Sequence, residues 1–88
     1  MYILKCSDGS FYTGSTNNLE YRIAQHKSGK GAEYTKRRLP VELVFVQEFQ
    51  SVEEAFRREK QVQGWSRKKK MALIEGAYDK LPELSKSK

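Results

Sequence analysis

Two tyrosines, an arginine, a histidine and a glutamate stand out in this 88-residue sequence, because the pattern around each turns it inward. Tyr2 and Tyr12 lie in short β-forming runs. Arg22 and His26 fall on or beside the inward line of a predicted helix, and Glu59 falls on the apolar line of another. A small core rarely holds five such groups unless they face one cleft. The chemistry they would serve together is metal-assisted phosphodiester hydrolysis. A carboxylate such as Glu59 holds one hard cation, Mg²⁺ or its like, which keeps most of its waters. The cation and an arginine neutralise charge developing on the phosphate and leaving oxygen, while a phenol takes the proton of the attacking water. A phenol of ordinary pKa, about 10, is a poor base, so positive charge must lie near it. Each residue also has a plainer reading: half-buried sheet aromatics for the tyrosines, and for Glu59 an ion pair with Arg22 or a bond to a tyrosine hydroxyl.

The elements that must position these groups begin with a hairpin, residues 2–14, folded at Asp8-Gly9. A two-residue turn pairs Cys6 with Phe11 and puts Tyr2 and Tyr12 on opposite faces. A three-residue loop, Ser7 to Gly9 with Gly9 left-handed, pairs Leu4 with Tyr12 and Tyr2 with Gly14, so that both tyrosines share a face. Asp-Gly suits either loop. Tyr2 also lies at the start of the strand, where fraying is expected.

Asn17 and Glu20 have the spacing of a capping box, which predicts a helix over 18–28 that ends at Ser28-Gly29, with Leu19, Ile23 and Ala24 inward. Residues 29–40 read as a loop rich in glycine and positive charge. Gly29-Lys30-Gly31 lacks the spacing and the Ser/Thr of a phosphate-binding loop. Lys30, Lys36, Arg37 and Arg38, with Tyr34 among them, instead suit a surface that grips a nucleic-acid backbone beside one stacking ring. A strand over 41–49, apolar on both parities at 43–46, is expected to be central. Ser51 and Glu54 open a helix to about Gln63, with Val52, Ala55, Phe56 and Val62 inward and Gly64 as its stop. A last helix over 67–75 packs Met71, Leu73 and Ile74. Its first turn, Arg67-Lys68-Lys69-Lys70, opposes the helix dipole and so points to phosphate contact. Residues 77–88 read as a loose tail after a single domain over 1–76.

Composition bounds the rest. The single cysteine, Cys6, excludes an internal disulfide and a four-cysteine zinc site, and reads as a small buried strand residue. No apolar run reaches the roughly 18 residues of a membrane span, and no export signal opens the chain, which is expected to be cytoplasmic without membrane contact. Seventeen Lys and Arg against eleven Asp and Glu give a net charge of +6, which suits a polyanionic partner.

The ordered set Tyr2-Ile3-Leu4, Tyr12-Thr13-Gly14, Arg22, His26 and a downstream Glu59 resembles the GIY-YIG nuclease superfamily, and most of all its small stand-alone bacterial branch. The hairpin and Ser28-Gly29-Lys30-Gly31-Ala32 are similar to that branch's signature, and the resemblance covers residues 1–76. It implies an α+β fold: a small three-stranded antiparallel sheet flanked by three helices. It also implies single-metal hydrolysis of nucleic acid with Mg²⁺ or Mn²⁺ as cofactor; DNA is expected rather than RNA, and no obligate protein partner is expected. By position, Tyr2 and Tyr12 are the paired tyrosines, Arg22 the phosphate clamp, His26 an auxiliary proton-transfer residue and Glu59 the metal ligand. The chain departs from the pattern in Met1, where the triplet Gly-Ile is absent, in Tyr12-Thr13-Gly14 for Tyr-Ile-Gly, in Ser15 where some members carry lysine, and in Met71 where some carry asparagine. The leading expectation is a metal-dependent endonuclease acting on DNA. Against it stand a nucleic-acid-binding module with a weak or idle site, and a role on RNA or the ribosome.

Overall fold

The structure, a computed structural model, describes residues 1–76, so the predicted tail at 77–88 lies outside the described residues. Its centre is the first strand, β1 (Tyr2–Lys5). Strand β2 (Phe11–Gly14) pairs antiparallel on one side of it and β3 (Glu42–Val46) on the other, giving the order β2-β1-β3. The hairpin takes the three-residue loop. Leu4 faces Tyr12 and Tyr2 faces Gly14. Cys6 N–H donates to the Ser10 carbonyl at 2.8 Å, and Gly9 has φ +84°, a conformation glycine adopts without a Cβ penalty.

Alternation along β1 divides the core in two. Ile3 joins Met1, Val62 and Leu73 on one face; Tyr2, Leu4 and Cys6 join Val41 on the other. The first face is covered by α3 (Val52–Gln63) and α4 (Arg67–Ile74), which supply Val62 and Leu73. The second is covered by α1 (Leu19–Lys27), through Leu19 and Ile23. The expected fraying does not occur: Met1 is buried and its carbonyl accepts from Gln47 N–H at 2.9 Å.

The strand expected to be central is an edge strand. Val44 and Phe45 pack on one core cluster and Leu43 on the other, so both faces of β3 are covered although only one of its hydrogen-bonding edges is paired. Apolar residues on both parities report covered faces; they say nothing about edges. Further expectations change as well. The cap of α1 is Asn18, whose side chain accepts from Tyr21 N–H at 3.2 Å, so the Asn17–Glu20 box does not form, and Ala24 is exposed. The loop at 29–40 contains a one-turn helix, α2 (Glu33–Lys36). The apolar line of α3 is only partly inward: Val52 is 71% and Phe56 51% exposed, while Val62 is buried. In α4, Met71 is exposed and Ala72 takes its place in the core beside Leu73.

Candidate active site

Tyr2 is buried beneath α1, and its hydroxyl lies 2.8 Å from His26 Nε2. The other ring nitrogen, Nδ1, lies 2.7 Å from the Thr35 hydroxyl. That hydroxyl donates its own proton to the Ala32 carbonyl at 3.0 Å, so toward His26 it acts as acceptor. His26 therefore carries its proton on Nδ1 and presents a bare Nε2, to which the Tyr2 O–H donates. One directional chain runs from the phenol through the imidazole and a threonine to a backbone carbonyl. Burial lowers the pKa of His26, and the charge of Arg22 lowers it further, in keeping with a neutral ring.

Two glycines make room for this chain. A Cβ on Gly14 would stand 2.6 Å from the Tyr2 hydroxyl oxygen, and one on Gly31 would stand 2.4 Å from His26 Nδ1. Neither position admits a side chain without displacing the pair. The one-turn helix α2 has a matching reason to exist, since it delivers Thr35, fully buried, to the imidazole.

Tyr12 completes the cluster, its ring centroid 6.4 Å from Tyr2 and 5.2 Å from His26. Arg22, half-buried one turn before His26, sets its guanidinium against both tyrosines and donates to Gln25 Oε1 at 3.2 Å. Burial pushes the Tyr2 phenol above its ordinary value, and Arg22 works in the opposite direction. The guanidinium is held further above its own value, foremost by the Tyr2 hydroxyl.

Glu59 arrives from the other face of the sheet. Its carboxylate meets the end of edge strand β2, accepting from Ser15 Oγ at 2.6 Å and from Gln63 Nε2 at 2.8 Å. Gln63 also donates to the Thr13 carbonyl at 3.1 Å, which fastens α3 to β2. The site thus straddles the sheet edge where β2 ends, with four residues from one face and one from the other. Beside it opens a cleft of about 480 Å³ whose wall includes Ser15, Arg22, Gln25 and Val52. Among the described residues no three His, Cys, Asp or Glu side chains gather as a metal cage. One carboxylate among neutral oxygens fits a hard cation that retains most of its water, because each Glu59 oxygen accepts one bond and keeps a lone pair.

The predicted basic residues differ in exposure and in partners. Lys30, Lys36 and Lys68 are exposed. Arg37 pairs with Glu33 at 2.8 Å; Arg38 pairs with Asp8 at 3.0 Å and lies 3.8 Å over the Tyr34 ring. Lys69 is buried, its ammonium 4.2 Å from the Trp65 ring centre. Arg67 donates to the Gly9 carbonyl, and Lys70 is half-buried. Thr35, Ser15, Gln63 and the spatial role of Gly31 were not legible in the sequence; their one signal was Gly31 within the glycine-rich run that follows α1.

The GIY-YIG catalytic domain matches residues 1–72. The chain belongs to the GIY-YIG family. It is 53% identical over 75 residues to a UPF0213 protein of Staphylococcus haemolyticus, covering 85% of this chain and 92% of that one. A UPF0213 protein of Halalkalibacterium halodurans is 48% identical over 88 residues, covering 97% and 94%. The solution NMR structure of the UPF0213 protein from Bacillus halodurans matches with a TM-score of 0.55 at 51% identity, over 84% of this chain and 79% of that one. GIY-YIG enzymes generally use a divalent metal, and the family match suggests a nuclease-like function acting on nucleic acid. The α+β fold with its three-stranded antiparallel sheet agrees with the family's architecture, and no helix among the described residues is long and apolar enough to cross a membrane.

Proposed function

We propose that this GIY-YIG domain is a metal-dependent endonuclease that hydrolyses phosphodiester bonds in DNA. The observation that carries the reading is the directional Tyr2–His26–Thr35 chain set beside Arg22 and Tyr12, because a buried phenol pointed at an unprotonated imidazole nitrogen is a route for a proton. In this reading Arg22 binds the scissile phosphate. The Tyr2 oxygen accepts the proton of the attacking water as its own passes to His26 Nε2, and Nδ1–H stays on Thr35. Phosphate on Arg22 offsets the positive charge that helps depress the His26 pKa, so substrate binding itself makes the imidazole a better acceptor. Tyr12 packs beside this pair, its ring centroid 6.4 Å from Tyr2 and 5.2 Å from His26. Glu59, oriented by Ser15 and Gln63, would hold Mg²⁺ or Mn²⁺, which when bound supplies charge neutralisation at the phosphate and leaving oxygen. Lys30, Lys36 and Lys68 are available for backbone contact.

One observation favours a second reading, a nucleic-acid-binding module with an idle site: Glu59 is the one carboxylate described at the candidate metal position, and both its oxygens already accept hydrogen bonds. The two separate when pure protein is incubated with plasmid, single-stranded and branched DNA plus Mg²⁺ or Mn²⁺, beside Glu59→Ala and Arg22→Ala and with matched RNA strands. Cleavage lost in both variants supports the endonuclease; retention of all substrates uncut on the protein supports the binding module.

A further inference from the structure

Away from the cleft, a notch of about 250 Å³ opens between the hairpin, α2 and α4, lined by Ser10, Phe11, Tyr34, Arg67 and Lys70. Two cations, two hydroxyls and two aromatic rings line it; the Ser10 hydroxyl donates to the Asp8 carboxylate at 2.6 Å, which stands behind that wall and not in the notch lining. Arg67 is fixed by its bond to the Gly9 carbonyl and lies 5.1 Å over the Phe11 ring, which leaves most of its five N–H donors uncommitted. Lys70 is half-buried, and desolvation holds its ammonium below its ordinary pKa. Tyr34 stays partly exposed even though Arg38 covers one side of its ring, and it stands 6.0 Å from Tyr12. A column of rings therefore links the notch to the catalytic pair: Tyr34, Tyr12, Tyr2, in centroid steps of 6.0 and 6.4 Å. A strand rising about 3.4 Å per nucleotide covers that span in a few nucleotides.

We infer that this notch binds a single-stranded DNA segment next to the scissile bond, with a phosphate between Arg67 and Lys70 and its sugar and base edge along Phe11 and Tyr34. The cations match a phosphate, and the rings match a base exposed by the absence of a partner strand. A base-paired strand keeps its bases inside the duplex, which leaves the two rings without a partner. The inference rests on the nuclease reading for its substrate, and it narrows that substrate to DNA with unpaired nucleotides at the cut.

The test uses the full chain carrying Glu59→Ala, titrated without metal by an eight-nucleotide thymidine strand and by a blunt duplex of equal length. Lys70→Met keeps the apolar stem and removes the charge; Lys27→Met removes a charge from the exposed end of α1. Lys70→Met is expected to weaken binding of the single strand about tenfold and to flatten the salt dependence by about 0.7 in log–log slope. Lys27→Met should cost less than about twofold, and duplex binding should respond less to Lys70→Met than single-strand binding does. In NMR spectra the strand should move the amide signals of Ser10, Phe11, Tyr34 and Lys70. Equal losses in the two lysine variants, or unmoved signals at those four residues, overturn the inference. Otherwise wild-type sequence restored at Glu59 separates the two claims: cutting with KM unchanged by Lys70→Met defeats the notch and leaves the nuclease standing, whereas absence of cutting with the four signals still shifted defeats the nuclease and leaves the notch standing.

Discussion

The two halves of the candidate site are built on opposite principles. On the α1 face, Tyr2, His26 and Thr35 are each 1% exposed or less, and their three bonds close into one directed chain. At the β2 edge, Glu59 is half-buried, held by a serine hydroxyl and a glutamine amide, and open to further ligands. Burial makes hydrogen bonds strong and unmet ones costly, so the first half is intolerant of change and sets proton positions. Partial exposure costs a carboxylate little, so the second half can exchange water and cation. Substitutions in the first half should therefore register as stability, and those in the second as activity alone.

The largest stability effect is expected at the glycines. Gly14→Ala and Gly31→Ala force a methyl against Tyr2 or His26, and each should cost about 3 kcal/mol by chemical denaturation; a cost below a few tenths would mean the pair is loosely held. Thr35→Val keeps the shape and removes the acceptor of Nδ1–H, leaving a buried donor unpaired, with an expected loss of about 1–2 kcal/mol. Its sharper readout is the His26 ring in ¹⁵N spectra, where the fixed Nδ1–H tautomer should give way to a mixture.

The pH dependence follows from the sign of the His26 shift. Its folded pKa lies below the ordinary 6.5, so the unfolded chain binds the proton more readily. The contribution is fully present above about 6.5 and is lost as pH falls from there through the folded value. Melting temperature should therefore drop across that window in the wild type and drop less in His26→Gln. The smallest effect belongs to the outer rim: Phe56→Ser on exposed α3 should change stability by less than about 0.5 kcal/mol, whereas a large loss would return Phe56 to the core.

Local chemistry was what the sequence expressed well. Asp8-Gly9 and the period-two strands reduced the hairpin to two registers, and the one with both tyrosines on a face is the one observed. Ser51 caps α3 through Glu54 N–H at 3.1 Å, and Gly29 ends α1 at φ +80°, both as their residue types imply. Legibility failed where the answer lay in a distant partner. Nothing near Thr35 announces an imidazole nine residues earlier, and the bond from Ser15 to Glu59 spans 44 positions. The apolar residues of α3 misled for a related reason: a helical stripe predicts an inward face only along the length that a sheet of three strands can cover. Charge runs misled too, because the sequence treats Lys69 and Lys68 alike, yet one is packed on Trp65 and the other faces solvent.

The claim that the buried chain and the edge carboxylate form one site is tested most directly by single-turnover cleavage of an end-labelled DNA strand with Mn²⁺, comparing wild type, Tyr2→Phe, Glu59→Gln and the double variant. Each single variant should cut about 10²-fold or more slowly, and the double variant should be no slower than the worse single one, because groups serving one transition state are not additive. Wild-type rates in Glu59→Gln, or losses that multiply independently in the double variant, would contradict a single site.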